Sequence, residues 1–209
     1  MMRALLNVAT KEARALPATT RRQEEGMTAE VHPQLSHCGV YARDIDTMVA
    51  FYTKTIGLVV SDRGISSRGG ELAFMTAAPG HHHQLVVVSG RAPEGVSTVN
   101  QLSFKVADLD QLKQTHRRVR DAGVAEIRQT SHGNALSIYF PDPEGNMVEI
   151  HMDTPWYVPQ PHGVPIDLSL PNEEIMAQTE RHCRETPGFM SLENWQAEVE
   201  RRLQTVRQH

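Results

Sequence analysis

The residues able to do chemistry gather in Thr130 to Glu149, TSHGNALSIYFPDPEGNMVE. It carries an imidazole at His132, a phenol at Tyr139 and a carboxylate at Glu149. Ala135–Phe140 reads as a strand, and Asp142-Pro143-Glu144-Gly145-Asn146 reads as a tight turn, since Pro presets φ and Gly or Asn accepts positive φ. A second strand then delivers Glu149, making a hairpin. Strand alternation puts Met147 and Glu149 on one face and Val148 and Ile150 on the other. A carboxylate in such an apolar strand either faces solvent, the ordinary place for charge, or points inward as a ligand.

The elements that must position these groups form a repeat. Leu35–Ala42 reads as a strand, Asp44 and Asp46 mark the start of a helix running to about Ile56, and Gly57 ends it. Leu58–Ser61, Glu71–Thr76 and His83–Val88 read as further strands. The pattern then restarts: a strand at Asn100–Val106, Asp108 and Asp110 opening a helix to Ala122, Gly123 ending it, a strand at Glu126–Gln129, and the hairpin. SHCGVYARDID and NQLSFKVADLD share their apolar pattern and their Asp-x-Asp, which lays His37 on Gln101 and places Gln84 near Glu149. The fold class is therefore α+β, with βαβββ repeats at 35–90 and 98–153 inside a domain spanning 34–153. Two such units paired about a pseudo-twofold axis would enclose one cleft where His37, Gln84, Gln101 and Glu149 converge. The alternative is a duplicated scaffold with a filled core and those four residues scattered.

Both ends lie outside the repeat. Residues 1–33 read as an extension, disordered or partly helical, and Met27 is favoured as the true start. Residues 154–209 begin with TPWYVPQPHGVPIDLSLP, an extended segment over the surface. Helices follow at Asn172–Cys183 and Leu192–Arg207, with Ser191 as N-cap of the second. They would cover a sheet edge or a partner subunit, or form a solvated tail. Trp156, His162 and Trp195 are candidates to lid a pocket.

Composition narrows the function classes. Of 209 residues, 39% are hydrophobic and 22% charged, which suits a water-soluble core. A net charge of −4 without a basic face argues against nucleic acid. No apolar run reaches the ~18–20 residues that span a membrane. Cys38 and Cys183 lack metal-site spacing, and a reducing cytoplasm is the expected compartment.

The order His132, Tyr139, Asp142-Pro143-Glu144-Gly145, Glu149 resembles the signature of the vicinal oxygen chelate superfamily, which includes glyoxalase I, fosfomycin-resistance enzymes and type I extradiol ring-cleaving dioxygenases. The resemblance covers about Leu35–Asp153 and is greatest to the extradiol dioxygenases. LSHCGVYARDIDTMVAFYTKTIGLVVSD resembles the first metal-bearing strand and helix, with His37 at the ligand place. GHHHQLVV resembles the strand with the acid/base His, and His83 takes that place. The resemblance implies a metal held by His37, Gln101 and Glu149, with Gln84 as a further candidate, and catalytic roles for His83, His132 and Tyr139. Gln101 departs from the pattern, standing where the family's dioxygenases have a second His.

Three functions follow as expectations. The first is ring cleavage of a catechol-like aromatic diol by dioxygen on Fe(II). The second is a glyoxalase-like lyase or isomerase reaction using Mn, Ni, Co or Zn. The third is metal-free binding of a small molecule, as in resistance proteins. A homodimer or higher homo-oligomer is expected in each case.

Overall fold

The computed structural model describes residues 34–207 apart from 68 and 96, with side chains to 204. The expectations for 1–33, Met27 included, lie outside the described residues. The first half contains β1 (Cys38–Ala42), α1 (Ile45–Phe51), β2 (Val59–Ile65), β3 (Glu71–Thr76) and β4 (Leu85–Ser89). The second contains β5 (Gln101–Lys105), α2 (Leu109–Asp121), β6 (Arg128–Ser131), β7 (Ala135–Pro141) and β8 (Met147–Asp153). Beyond them come β9 (Trp156–Tyr157), β10 (Val164–Pro165), α3 (Asn172–Glu185), β11 (Met190–Ser191) and α4 (Leu192–Arg207).

The duplicated aspartates have duplicated work. Asp44 accepts a hydrogen bond from Thr47 N, and Asp108 accepts one from Gln111 N, so each caps its helix through a donor left free in the first turn. Asp46 and Asp110 sit in those first turns, where negative charge is favoured. Gly57 and Gly123 follow the helical segments at φ +96° and +84°, left-handed conformations that glycine enters without a Cβ penalty. The first helix does not stay regular to its end. It widens into a π-helical turn over Tyr52–Ile56, and both Gly57 N and Leu58 N bond to Tyr52 O.

The strands form a four-stranded sheet, β1-β4-β3-β2, a five-stranded sheet, β10-β6-β7-β8-β5, and a two-stranded ribbon, β11-β9. β1 pairs parallel with β4, and β5 pairs parallel with β8. The inner faces of both sheets bury one core that includes Met48, Tyr52, Met75, Leu85, Leu112 and Ile138. No strand of one sheet is hydrogen-bonded to a strand of the other among the described residues. Edges β1 and β5 nevertheless meet at a seam. Residues 35–38 face 102–106 across one cavity, and 39–41 face 97–99 across another, so the edges pass in opposite directions.

The register corrects one alignment. Gly39 stands opposite Val86, and Ser103 stands opposite Glu149. Since Gly39 and Ser103 are equivalent, Val86 and not Gln84 is the counterpart of Glu149. Gln84 accepts from Ala77 N at 2.9 Å and serves the turn before β4.

The hairpin turn ties the halves together. Asp142 accepts from the backbone N–H of Glu144 and Asn146 at 2.9 and 2.8 Å, and from the buried Tyr52 hydroxyl at 2.9 Å. Glu144 is buried and accepts from Arg43 N (2.6 Å), Asp44 N (3.1 Å), Arg43 Nε (2.8 Å) and Arg91 Nη1 (3.2 Å). Burial opposes its ionisation, but the Asp44 amide and the Arg43 contacts outweigh it and lower its pKa. Glu144→Gln is expected to cost roughly 2 kcal/mol at neutral pH by leaving donors unpaired. A depressed carboxyl pKa stabilises the fold above the ordinary value of about 4.3 and loses that effect as pH falls through the folded value. Urea unfolding at pH 7 and again near pH 3 should show the gap between wild type and variant closing in acid.

The segment after β8 is not superficial. Val158 is fully buried, and Leu168 and Ile175 are 5% and 1% exposed. β10 extends the second sheet beyond β6, pairing Val164 with Ser131. Spaced prolines hid this burial, because the segment has neither helical nor strand periodicity. Ser191 Oγ accepts from Asn194 N at 3.2 Å at the start of α4. Among the described residues no helix is long and apolar enough to cross a membrane.

Candidate functional site

Glu149 sits on β8 with Tyr139 directly opposite on β7 and Ser103 directly opposite on β5. Pleating sends these three to one face, while Val148 and Ile150 enter the core. Glu149 is 7% exposed. Its Oε1 accepts from the Tyr139 hydroxyl, and its Oε2 accepts from Ser103 Oγ at 2.5 Å and Gln101 Nε2 at 2.8 Å. Burial alone would raise its pKa, but hydrogen bonds, Ser103 first, and the neighbouring His151 hold it below the usual value. It is therefore an anion at neutral pH. Among the described residues no Lys or Arg forms an ion pair with it.

His132 extends this chain. Its Nε2 lies 2.7 Å from the Tyr139 hydroxyl and its Nδ1 lies 2.6 Å from the carbonyl of His162. The Arg128 guanidinium stacks 4.0 Å from the Tyr139 ring centroid. Burial, then the hydrogen bond to Glu149 and its charge, push the Tyr139 pKa up to about 12, so the phenol stays protonated as a donor. A cavity of about 320 Å³ opens onto this group, lined by His132, Tyr139, Glu149, His151 and Gln160 among others.

The first sheet contributes a separate cluster. The ring centroids of His37 and His83 are 4.2 Å apart. Burial, then the charges of His37 and His82, lower the His83 pKa and favour its neutral form, which keeps one basic ring nitrogen. His82 Nδ1 lies 2.9 Å from His83 Nδ1, and its Nε2 lies 2.6 Å from Asp62 Oδ2. Alternation would send His82 and His83 to opposite faces, but β4 begins only at Leu85, so these histidines sit on a turn where alternation does not apply.

Among the described residues no hydrogen bond, ion pair or ring contact joins this histidine cluster to Glu149. The link is the seam. His37 and Ser103 line the same cavity of about 640 Å³, and Ser103 donates to Glu149. Ser103 lies two residues beyond Gln101 on β5, so alternation alone could have flagged it. Gln160 carried no such signal. Of the candidates to lid a pocket, Trp195 stacks on Tyr157 at 5.4 Å, while His162 serves through its backbone carbonyl.

Among the described residues no three His, Cys, Asp or Glu side chains gather as a metal site, so a cation here would draw on Glu149 and the Gln101 amide with an imidazole from across the seam. A buried anion held only by neutral groups keeps its charge available, and its hydrogen-bonding neighbours orient it as outer partners orient metal ligands. Gln101 reaches the same carboxylate, and its amide oxygen is the atom able to offer lone pairs. Imidazole, amide and carboxylate together make an N/O set suited to Fe, Mn, Co, Ni or Zn.

Fold and site together define a duplicated α+β module with a polar face built on its paired strands. The sequence profile of the Glyoxalase/Bleomycin resistance protein/Dioxygenase superfamily matches residues 34–150, and the chain belongs to that family, with the α+β fold its resemblance implied. Biphenyl-2,3-diol 1,2-dioxygenase 3 of Rhodococcus globerulus is 27% identical over 128 residues, 59% of this chain and 65% of that protein. Biphenyl-2,3-diol 1,2-dioxygenase 2 of the same organism is 23% identical over 164 residues, 70% of this chain and 84% of that protein. The chain thus spans about two thirds of the first relative's length. Among solved structures, a glyoxylase/bleomycin resistance protein/dioxygenase domain from Frankia sp. EAN1pec aligns with TM-score 0.49 and 20% identity, covering 59% of this chain and all of that one. The fosfomycin resistance protein FosX of Listeria monocytogenes, complexed with Mn(II) and sulfate, aligns with TM-score 0.47 and 18% identity over 59% of this chain and 95% of its own.

Proposed function

We propose that this chain is a metal-dependent, extradiol-type dioxygenase that opens the ring of a catechol-like aromatic diol. The observation that carries the reading is the buried, ionised Glu149, held by Tyr139, Ser103 and Gln101 and reached by His132 through Tyr139. Two relatives named as biphenyl-2,3-diol dioxygenases support it. In this reading His37, Gln101 and Glu149 hold Fe(II) across the seam. A bound divalent cation supplies Lewis acidity that lowers the pKa of diol hydroxyls.

The remaining work falls to the protein's own groups. The lone pair of His83 accepts a proton from a diol hydroxyl and later returns it, as general acid–base chemistry near neutrality requires. Tyr139 and His132 place donors where negative charge grows on oxygen. The exposed apolar side chains Val59 and Ile65 on edge strand β2 favour a homodimer, which sedimentation of the purified protein would reveal.

The test is dioxygen uptake by anaerobically purified, iron-loaded protein with 2,3-dihydroxybiphenyl and simple catechols. A yellow ring-opened product is expected. Demonstrable iron with no uptake across that panel would overturn the reading. Gln101 favours a second reading, a lyase or isomerase on the same scaffold, because an amide binds iron less firmly than imidazole. Retention of Mn, Ni, Co or Zn in preference to iron would select it. Small-molecule binding indifferent to chelators and to His37→Ala would instead indicate a metal-free binding protein.

A further inference from the structure

The segment just beyond the family-matched region holds one side of the candidate site. Gln160 Oε1 accepts from His162 N at 2.9 Å, and Gln160 Nε2 donates to His132 O at 2.8 Å. The same Nε2 lies 3.3 Å from both Asn134 Oδ1 and Val158 O. Gln160 therefore bridges the two backbones whose alignment makes the His132 Nδ1 to His162 O contact of 2.6 Å. A carbonyl oxygen can only accept, so Nδ1 carries a proton, and the Tyr139 hydroxyl donates its one proton to Glu149, so Nε2 bonds the Tyr139 oxygen only as a donor.

The surroundings hold this bridge in place. Val158 is fully buried against Gly133, whose φ of +76° and missing Cβ leave it room: a Cβ there would meet Val158 Cγ2 at 2.4 Å. On the far side β10 pairs with β6, Pro165 opposite Thr130. Gln160 also lines the cavity that contains Glu149 and Tyr139.

We propose that Gln160 is a positioning residue that locks the His132 ring through its Nδ1–H on His162 O, with Nε2 aimed at Tyr139. For catalysis this rests on the dioxygenase reading; the ring's orientation does not. Gln160 is exposed, so replacing it should leave the fold intact.

The experiment is long-range proton–nitrogen NMR of ¹⁵N-histidine-labelled protein at about pH 8, above the ordinary imidazole pKa. His132 is assigned by the signals lost in His132→Gln. Wild type should show a protonated Nδ1, and Gln160→Leu should show a bare Nδ1 or an exchanging mixture. In iron-loaded protein Gln160→Leu should lower kcat about tenfold with KM changed less than about twofold, the scale of losing an orienting partner. A bare Nδ1 in wild type, or an unchanged ring in Gln160→Leu, would overturn the proposal. A changed ring with unchanged kcat would overturn its catalytic half. Failure of wild type to turn over any diol would remove the dioxygenase reading, and the NMR result would still decide the lock.

Discussion

Glu149→Gln is expected to weaken divalent-metal binding by at least about 100-fold and to abolish turnover, since outer-shell changes alone cost 10–100-fold. The substitution removes the charge that a cation needs. It also misplaces hydrogen: Tyr139 donates to one oxygen, and Ser103 and Gln101 donate to the other. An amide presents an acceptor on one side only, so a donor must face a donor on the other. Metal titration by calorimetry would measure the loss, and unchanged affinity would refute the ligand role. Ultraviolet titration supplies a readout that needs no metal. After burial, Glu149 is the next cause of the raised Tyr139 pKa, so the phenol should titrate below about 12 in the variant.

Gly133→Ala should destabilise the fold by about 2–4 kcal/mol. Two costs combine. An alanine at φ +76° meets the left-handed penalty of roughly 1 kcal/mol. Its Cβ would also lie 2.4 Å from Val158 Cγ2 and 3.3 Å from Cys183 Sγ, both on fully buried residues, and overpacking of this kind costs about 1–3 kcal/mol. Gly145 offers the control. Its φ is +81°, but a Cβ there meets nothing within 4 Å. Gly145→Ala should therefore show only the backbone cost. Urea unfolding of both variants would separate the terms, and equal losses would mean that Val158 yields at no expense.

Much of the site was legible because its logic is local. A period of two is enough to put Glu149 on the face opposite Val148 and Ile150. Asx chemistry at Asp142 and a glycine at position 145 are enough to close the hairpin. The paired Asp44 and Asp108 revealed the duplication, since each caps a helix within three residues of itself. Local patterns do not report where a strand begins: His83–Val88 reads as strand, but β4 starts at Leu85 and leaves His83 before it. Nor did they report register, which made Val86 the counterpart of Glu149.

What the chain determined unaided is the set of elements and which side of each its polar groups occupy, because caps, turns and pleating act over two to four residues. What only the tertiary structure decided is which of those groups meet. Ser103 against Glu149, Glu144 beneath Arg43, and Gln160 across His132 are separated by 28 to 101 residues. Contacts at such range arise when sheets, seam and terminal segment pack into one core, where shape and desolvation select partners that no short window of sequence contains.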